Sequence, residues 1–491
     1  MASYPYNPER GDLIPGNHHD EWMGRVRRIH FVGIGGAGMG GIAEVLHGLG
    51  YRISGSDRVE GKMVQRLRRL GIAVGAGHAP EHVDGADVVV ISSAVSGENV
   101  EVRSARRQYI PVIPRAEMLA ELMRFRYGIA VAGTHGKTTV TSLIASLLTE
   151  AGLDPTFVIG GRLNRANSHA YLGLGRYLVA EADESDKSFL YLNPMMAVVT
   201  NIDADHMDTY EGRFGDLKET FLRFLRRLPF YGRAVVCIDE PVIKELLGKI
   251  SRPVVTFGFD KAADFQADEV GYDGVRTTFE VFRPAGKPPL EISLNLPGRH
   301  NVSNALAAIA IADELAVPDD VIQRALAGFQ GIARRFQVFG EVLVGKHRVL
   351  LIDDYGHHPR EVAATLDTIR ASWPDRRLVV AFQPHRYTRT RDLFDDFVHV
   401  LLEPDVLFLL DIYAASETPL PGITGEGLYR AVRDHRNERG RGGDGDSASF
   451  FVKKVPDLAD ALSEAARDGD VVLTLGAGDI DSVAPDLALR S

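Results

Sequence analysis

The chain has 491 residues, 45% of them hydrophobic, and its 66 acidic and 56 basic side chains leave a net charge of −10. That length supports about three domains with their own cores, and the negative balance argues against nucleic acid or an anionic membrane as the main partner. A lone cysteine, Cys237, excludes an intramolecular disulfide, and no uncharged apolar run is long enough to cross a bilayer.

Residues 1–26 contain Pro, Gly, His and acids without the apolar centre of a signal peptide, and read as a polar leader. Together with the scarcity of cysteine, this fits a cytoplasmic protein. From 27 to 127, short β-branched runs alternate with helical stretches: RIHFVGIG, helix 37–49, YRISGSD, helix 61–70, DVVVISSAV. This α/β order predicts a mainly parallel sheet covered by helices. The turn Gly33-Ile34-Gly35-Gly36-Ala37-Gly38 follows the first strand and matches GxGxxG, a pattern that lets a pyrophosphate approach a helix end closely. Asp57 closes the next strand, where a carboxylate can reach a ribose hydroxyl. NAD and UDP-sugars present the same diphosphate, so the glycines leave that choice open.

A second α/β unit, 128–332, opens with YGIAVAGTHGKTT. An apolar strand, the turn Gly133-Thr134-His135-Gly136 and Lys137-Thr138-Thr139 at a helix start aim main-chain N–H groups at a polyphosphate. Lys137 supplies a point charge and Thr138 an oxygen ligand for Mg²⁺, so ATP is the expected nucleotide. The spacing departs from the ordinary Walker loop, with Val131 where the first glycine is expected. Strands RYLVAEADE and MMAVVTNID end in two clusters, Glu181, Asp183, Glu184 and Asp186, then Asp203, Asp205, His206 and Asp208. These sit where a phosphate-bridging metal needs ligands, although acids at strand ends also serve as helix caps. Strand pairs between about 264 and 298 predict a small antiparallel patch. Asn301 and Asn304 lie one turn apart on the helix that follows, able to read an adenine edge or simply to cap.

The third unit, 333–491, again alternates: HRVLLIDDYG, helix 359–371, RLVVAFQP, helix 391–402, DVLFLLDIY, helix 425–434, SFFVKKV, helix 457–467, DVVLTLGAG. Residues 436–448, rich in Gly and charge, read as a mobile surface loop. His357 follows the unit's first strand; His385, Arg386 and Arg389 follow the second. The two arginines suit a carboxylate or phosphate, whereas the bland reading is a solvated helix start.

In this order the motifs GIGGAGMGGIAEVL, GTHGKTT, EADESD, NIDADHMD, GRHNVSNALAA, ARRFQ, DDYGHHPREV and QPHRYTRT resemble the Mur ligase family, and within it the alanine-adding branch. The resemblance covers about residues 27–490. It implies a Rossmann-like N-terminal domain for a UDP-sugar, a central P-loop ATPase domain and a Rossmann-like C-terminal domain. It further implies UDP-N-acetylmuramate, L-alanine and ATP as substrates, an acyl-phosphate intermediate and Mg²⁺, with oligomeric state open between monomer and homodimer. Gly33, Gly35, Gly36, Ala37 and Gly38 would hold the UDP diphosphate, so NAD drops out. Lys137 and the loop amides would hold the ATP phosphates, and Thr138, Glu181 and His206 the metal. His300, Asn301 and Asn304 would face adenine, Arg335 and Asp354 would serve the nucleotide, and His357, His385, Arg386 and Arg389 would receive alanine and the muramyl carboxylate. Phe221 stands where other branches carry a carbamate-forming lysine, with Lys218 one helical turn away. The alternatives are a recycling ligase that adds a tripeptide to the same sugar and, in another class, a nicotinamide dehydrogenase fused to an ATPase.

Overall fold

The computed structural model describes residues 23–92, 94–163, 168–284, 286–415, 417–438 and 448–490. Most of the expected leader, and 439–447 of the expected loop, lie outside them.

The first sheet contains β1 (Arg28–Val32), β2 (Arg52–Asp57), β3 (Ala73–Ala76), β4 (Val88–Ile91) and β5 (Val112–Pro114), in the order β3-β2-β1-β4-β5. Helices α1 (Ala37–Gly48), α2 (Lys62–Arg69), α3 (Val100–Arg107) and α4 (Arg115–Arg124) alternate with the strands. β1 pairs in parallel with both β2 and β4. The chain therefore reverses its order at the end of β1, which opens a crevice at the strand tips. β1 and β4 read as apolar runs because both sheet faces are covered, with Val32, Val83, Val89 and Ala105 packed together.

The second sheet has ten strands. In chain order come β6 (Tyr127–Ala132), α5 (Lys137–Glu150), β7 (Thr156–Leu163), β8 (Ser168–Tyr171), β9 (Tyr177–Glu181), β10 (Met196–Val199) and α6 (Phe214–Leu225). There follow β11 (Arg233–Cys237), α7 (Pro241–Leu246), β12 (Val254–Gly258), β13 (Phe265–Asp273), β14 (Arg276–Phe282), β15 (Leu290–Leu294), α8 (Arg299–Glu314) and α9 (Asp319–Ala327). The order is β15-β14-β13-β12-β11-β10-β6-β9-β7-β8, so the fully apolar β6 lies between β9 and β10, parallel to each. The expected patch near 264–298 is the β13–β15 edge. β7 and β8 form an antiparallel pair not anticipated from sequence.

The third sheet contains β16 (Gln337–Val344), β17 (His347–Asp354), β18 (Leu378–Phe382), β19 (Val406–Leu410), β20 (Ser449–Val452) and β21 (Val471–Leu475), in the order β16-β17-β21-β18-β19-β20. Only β16, another strand missed in the sequence, runs antiparallel to its neighbour. Helices α10 (Pro359–Ser372), α11 (Tyr387–Asp392), α12 (Phe394–Val400), α13 (Gly425–Glu438), α14 (Leu458–Ala465) and α15 (Val483–Arg490) complete it. The expected helix 391–402 is in fact two, broken at Leu393. α13 also runs past its expected end, and Arg436, assigned to a surface loop by composition, is buried at 2% exposure. Its guanidinium donates to the carbonyls of Leu401 and Pro404, which a glycine-rich charged stretch gives no hint of.

Two compact units emerge. One takes the chain to Asp268 with Glu280–Ile292 and Ser303–Phe329; the other takes Glu269–Phe279, Ser293–Val302 and the chain from Gln330. Among the described residues no helix is long and apolar enough to cross a membrane.

Candidate functional site

At the end of β1 the glycine turn is tied to β2. Gly33 and Ile34 donate their N–H groups to the Ser56 carbonyl at 2.8 and 3.0 Å, and Gly35 donates to Asp57 Oδ2 at 2.8 Å. Gly33 needs its positive φ of +77°, and a Cβ at Gly35 would sit 2.8 Å from Asp57 Oδ2. Thus Gly33, Gly35 and Asp57 shape the turn from within; Asp57 spends Oδ1 on the Val59 N–H as well. The amides left for a phosphate are those of Ala37, Gly38 and Met39 in the first turn of α1, which have no intrahelical partner. Arg115, not singled out from sequence, stands beside them: a Cβ at Gly38 would lie 2.7 Å from its NH1, and its NH2 is 3.9 Å from Asp183.

The loop between β6 and α5 is held by the segment after β10. Asn201 Oδ1 accepts the His135 N–H at 2.8 Å, Thr200 Oγ donates to the His135 carbonyl at 2.6 Å, and the Asp203 N–H donates to Thr134 Oγ at 2.9 Å. Gly136, at φ +84°, has no room for a Cβ, which would meet Asn304 Oδ1 at 2.6 Å. Asn304 therefore lies against the loop. Thr138 and Thr139 are buried behind it.

Lys137 Nζ donates to the carbonyls of Gly133 and Thr134 at 2.5 and 3.1 Å, and to both Glu184 oxygens at 3.0 and 2.9 Å. Burial lowers the ammonium pKa, but Glu184, with Asp183 behind it, outweighs burial and holds it above its ordinary value. Sequence placed Glu184 among the acids without marking it as the partner of Lys137. The two acidic segments are joined by Thr209 Oγ donating to the Ser185 carbonyl at 2.6 Å and Tyr210 Oη to that of Glu184 at 2.5 Å. Glu181 Oε1 accepts the Gly160 N–H at 2.7 Å, and His206 takes the left-handed conformation at φ +54°. Phe221 is buried against Phe189, ring centroids 5.3 Å apart, and Lys218 pairs with Glu245 at 2.7 Å. The position of the carbamate lysine is core here.

The unit that holds the third sheet gathers His357, His385, Arg386 and Arg389 around the tips of β17 and β18. The His357 and His385 rings meet edge to face at 5.6 Å, and His385 stacks on Tyr413, also at 5.6 Å. Arg389 NH1 is 3.3 Å from His385 Nδ1. Arg386 adopts φ +71°, a costly conformation for a side-chain-bearing residue, and its Nε is buried without a hydrogen-bond partner. Burial, with Arg389 adding to it, pushes the His357 pKa down to about 3 against the pull of Glu361. Burial and the same arginine, with Arg386, bring His385 to about 4. Both rings are therefore neutral near neutral pH. Asp354 accepts the N–H groups of Phe336 and Gly356 at 2.7 and 2.8 Å, and Arg335 lies over the Tyr355 ring at 4.7 Å. Asn301 Nδ2 donates to the Pro297 carbonyl at 2.7 Å, a local cap, while His300 is exposed in the first turn of α8.

Comparison with known proteins matches residues 28–127 to the Mur ligase family catalytic domain, 131–312 to the Mur ligase middle domain and 334–478 to the Mur ligase glutamate ligase domain. The chain belongs to the Mur ligase family. This Mur ligase is 58% identical over 465 residues to UDP-N-acetylmuramate–L-alanine ligase of Halorhodospira halophila, covering 95% of this chain and 94% of that one. Among solved structures it is similar to UDP-N-acetylmuramate-alanine ligase of Thermotoga maritima, at 28% identity and TM-score 0.79 over 94% and 98% of the two chains. A murein peptide ligase of Psychrobacter arcticus aligns over the same shares at 25% identity and TM-score 0.66.

Proposed function

We propose that this Mur ligase joins L-alanine to the lactyl carboxylate of UDP-N-acetylmuramate, converting ATP to ADP and phosphate, as the first peptide step of cytoplasmic peptidoglycan precursor synthesis. The observation that carries the reading is the 58% identity to a UDP-N-acetylmuramate–L-alanine ligase across nearly the whole of both chains. Residues 27–127 would bind the UDP-sugar, 128–332 ATP and 333–491 the amino acid.

A carboxylate resists an amine because its charge and resonance blunt the carbon, so it is first phosphorylated. Its oxygen attacks the γ-phosphorus of ATP; ADP leaves, and the alanine nitrogen then attacks the acyl carbon and expels phosphate. Lys137 moves from Glu184 to the phosphate as charge gathers there, and the amides of Lys137, Thr138 and Thr139 in the first turn of α5 align the chain of phosphates, those of Thr134 and His135 being held by Asn201. Thr138, Glu181 and His206 would hold Mg²⁺, a donor set in which oxygen predominates, as a hard cation prefers. When bound, the ion offsets repulsion between the two anions. Asn304 and Asn301, with His300, Arg335 and Asp354, serve the adenosine. The amides of Ala37, Gly38 and Met39, with Gly36 at the helix cap beside them, take the UDP diphosphate, on a turn shaped by Gly33, Gly35 and Asp57. Arg386 and Arg389 grip carboxylate, Arg386 Nε gaining the partner it lacks; neutral His357 and His385 orient the amine.

The test is ADP release with UDP-N-acetylmuramate and, in turn, each L-amino acid or the murein tripeptide. L-alanine should give the highest kcat/KM, and Lys137→Ala should lower kcat by about a thousandfold with UDP-sugar affinity retained. Preference for the tripeptide would assign the recycling reaction instead. ADP release indifferent to the UDP-sugar would overturn the ligase reading.

A further inference from the structure

In the first sheet one fully buried carboxylate, Glu101 on α3, is surrounded by donors from three other segments. From β2, Ser56 Oγ donates to its Oε2 at 2.6 Å. From the stretch after β3, His82 Nδ1 lies 2.6 Å from Oε1, His78 Nδ1 is 3.2 Å from Oε2 and the Ala79 N–H donates at 3.3 Å. From β1, His30 Nε2 stands 3.8 Å away, buried and without a hydrogen-bond partner. Space is reserved for the arrangement: a Cβ at Gly75 would sit 2.6 Å from the His82 ring. None of these histidines takes part in the chemistry described above.

The consequence runs through Ser56. Its hydroxyl is pinned by Glu101 and lies 2.9 Å from His78, while its carbonyl accepts both Gly33 and Ile34. The next residue, Asp57, holds Gly35. Fixing the Ser56 side chain fixes the peptide plane on which the glycine turn hangs. We propose that Glu101, acting through Ser56 and oriented by His78 and His82, is a positioning residue that sets the glycine turn for the diphosphate of the UDP-sugar. This rests on the reading of that turn as the diphosphate site.

Burial alone would raise the Glu101 pKa, but His30, Ser56 and His82 together outweigh it and hold it down to about 2. The group is a carboxylate at any working pH. Glu101→Gln therefore keeps the shape, removes the charge and turns one acceptor into a donor facing donors.

The experiment measures KM for UDP-N-acetylmuramate and for ATP, kcat and the thermal midpoint in the full-length enzyme, for Glu101→Gln and Ser56→Ala. The expected result is a KM for the UDP-sugar raised about tenfold in each, with kcat and the KM for ATP within about twofold. If Glu101→Gln fails to fold, Ser56→Ala decides, since it deletes the relay hydroxyl alone. Folded variants with an unchanged KM for the UDP-sugar, or an equal loss for both substrates, would overturn the proposal. Gly36→Asp separates the two readings: Gly36 has φ −67° and nothing closer than 3.9 Å to an added Cβ, so a carboxylate fits there and repels a diphosphate. Unchanged UDP-sugar affinity in that variant would topple the diphosphate reading itself. Lost affinity there, with none lost in the other two, would dismiss the role of Glu101 only.

Discussion

His357 carries the sharpest consequence at the level of single residues. An exposed imidazole takes a proton near pH 6.5, but burial and Arg389 hold this one down to about 3. The ring therefore stays neutral from pH 8 down through 6, and the kcat profile of the enzyme across that range should contain no inflection from it. An inflection near 6.5 in the wild type that vanishes in His357→Asn would contradict this. Sequence singled out His357 for its strand-end position and its company of arginines, yet its environment decides its chemistry, and that environment is assembled from Tyr355, Glu361, His385 and Arg389. Asp57 makes the same point in reverse. Its distance from the glycines suggested a ribose contact, whereas its two oxygens are engaged by Gly35 and Val59. Lys137 was legible from its motif; its partner Glu184 was one of several acids with nothing in the sequence to single it out.

Among the elements, α1 shows what a strand-then-helix reading omits. Its glycines look like part of a nucleotide turn, but Gly41 and Gly48 lie beyond it and face β8 and the residue that follows it: added Cβ atoms would come within 3.1 Å of Ala170 Cβ and 2.8 Å of Leu172 Cδ2. Leucine at position 41 would gain about 1 kcal/mol of helix propensity and suffer about 1–3 kcal/mol of overpacking. Ala170 has no longer side chain to fold aside, so the clash prevails. Gly41→Leu should lower the thermal unfolding midpoint; an unchanged or raised midpoint would show that α1 can shift away from β8. The strands β7 and β8 escaped detection because the apolar start of β7, TFVI, is cut off by two glycines and an arginine and β8, SHAY, has only four residues, so both take their stability from pairing and from α1 rather than from a sustained apolar run. By contrast β6, β18 and β19 are continuous apolar stretches buried on both faces, and were plain from sequence.

Across the whole molecule, the glycine turn, the Lys137 loop and the segments carrying His357 and Arg386 each follow the carboxyl end of a parallel strand at a point where the sheet order departs from chain order. The glycine turn follows β1 between β2 and β4, and Lys137 follows β6 between β9 and β10. In the third sheet β21, late in the chain, inserts between β17 and β18, the strands that carry His357 and Arg386. The strand ends were legible in sequence; the insertion of β21 was not, because non-local pairing leaves no local signature. The proposed reaction passes a phosphoryl group to a sugar-borne carboxylate, and an isotope measurement tests that most directly. With both lactyl carboxylate oxygens of UDP-N-acetylmuramate labelled with ¹⁸O, turnover with ATP and L-alanine should release inorganic phosphate carrying a single ¹⁸O, visible as an isotope shift in the ³¹P spectrum. Phosphate released without label, alongside a normal yield of the amide, would contradict the acyl-phosphate route.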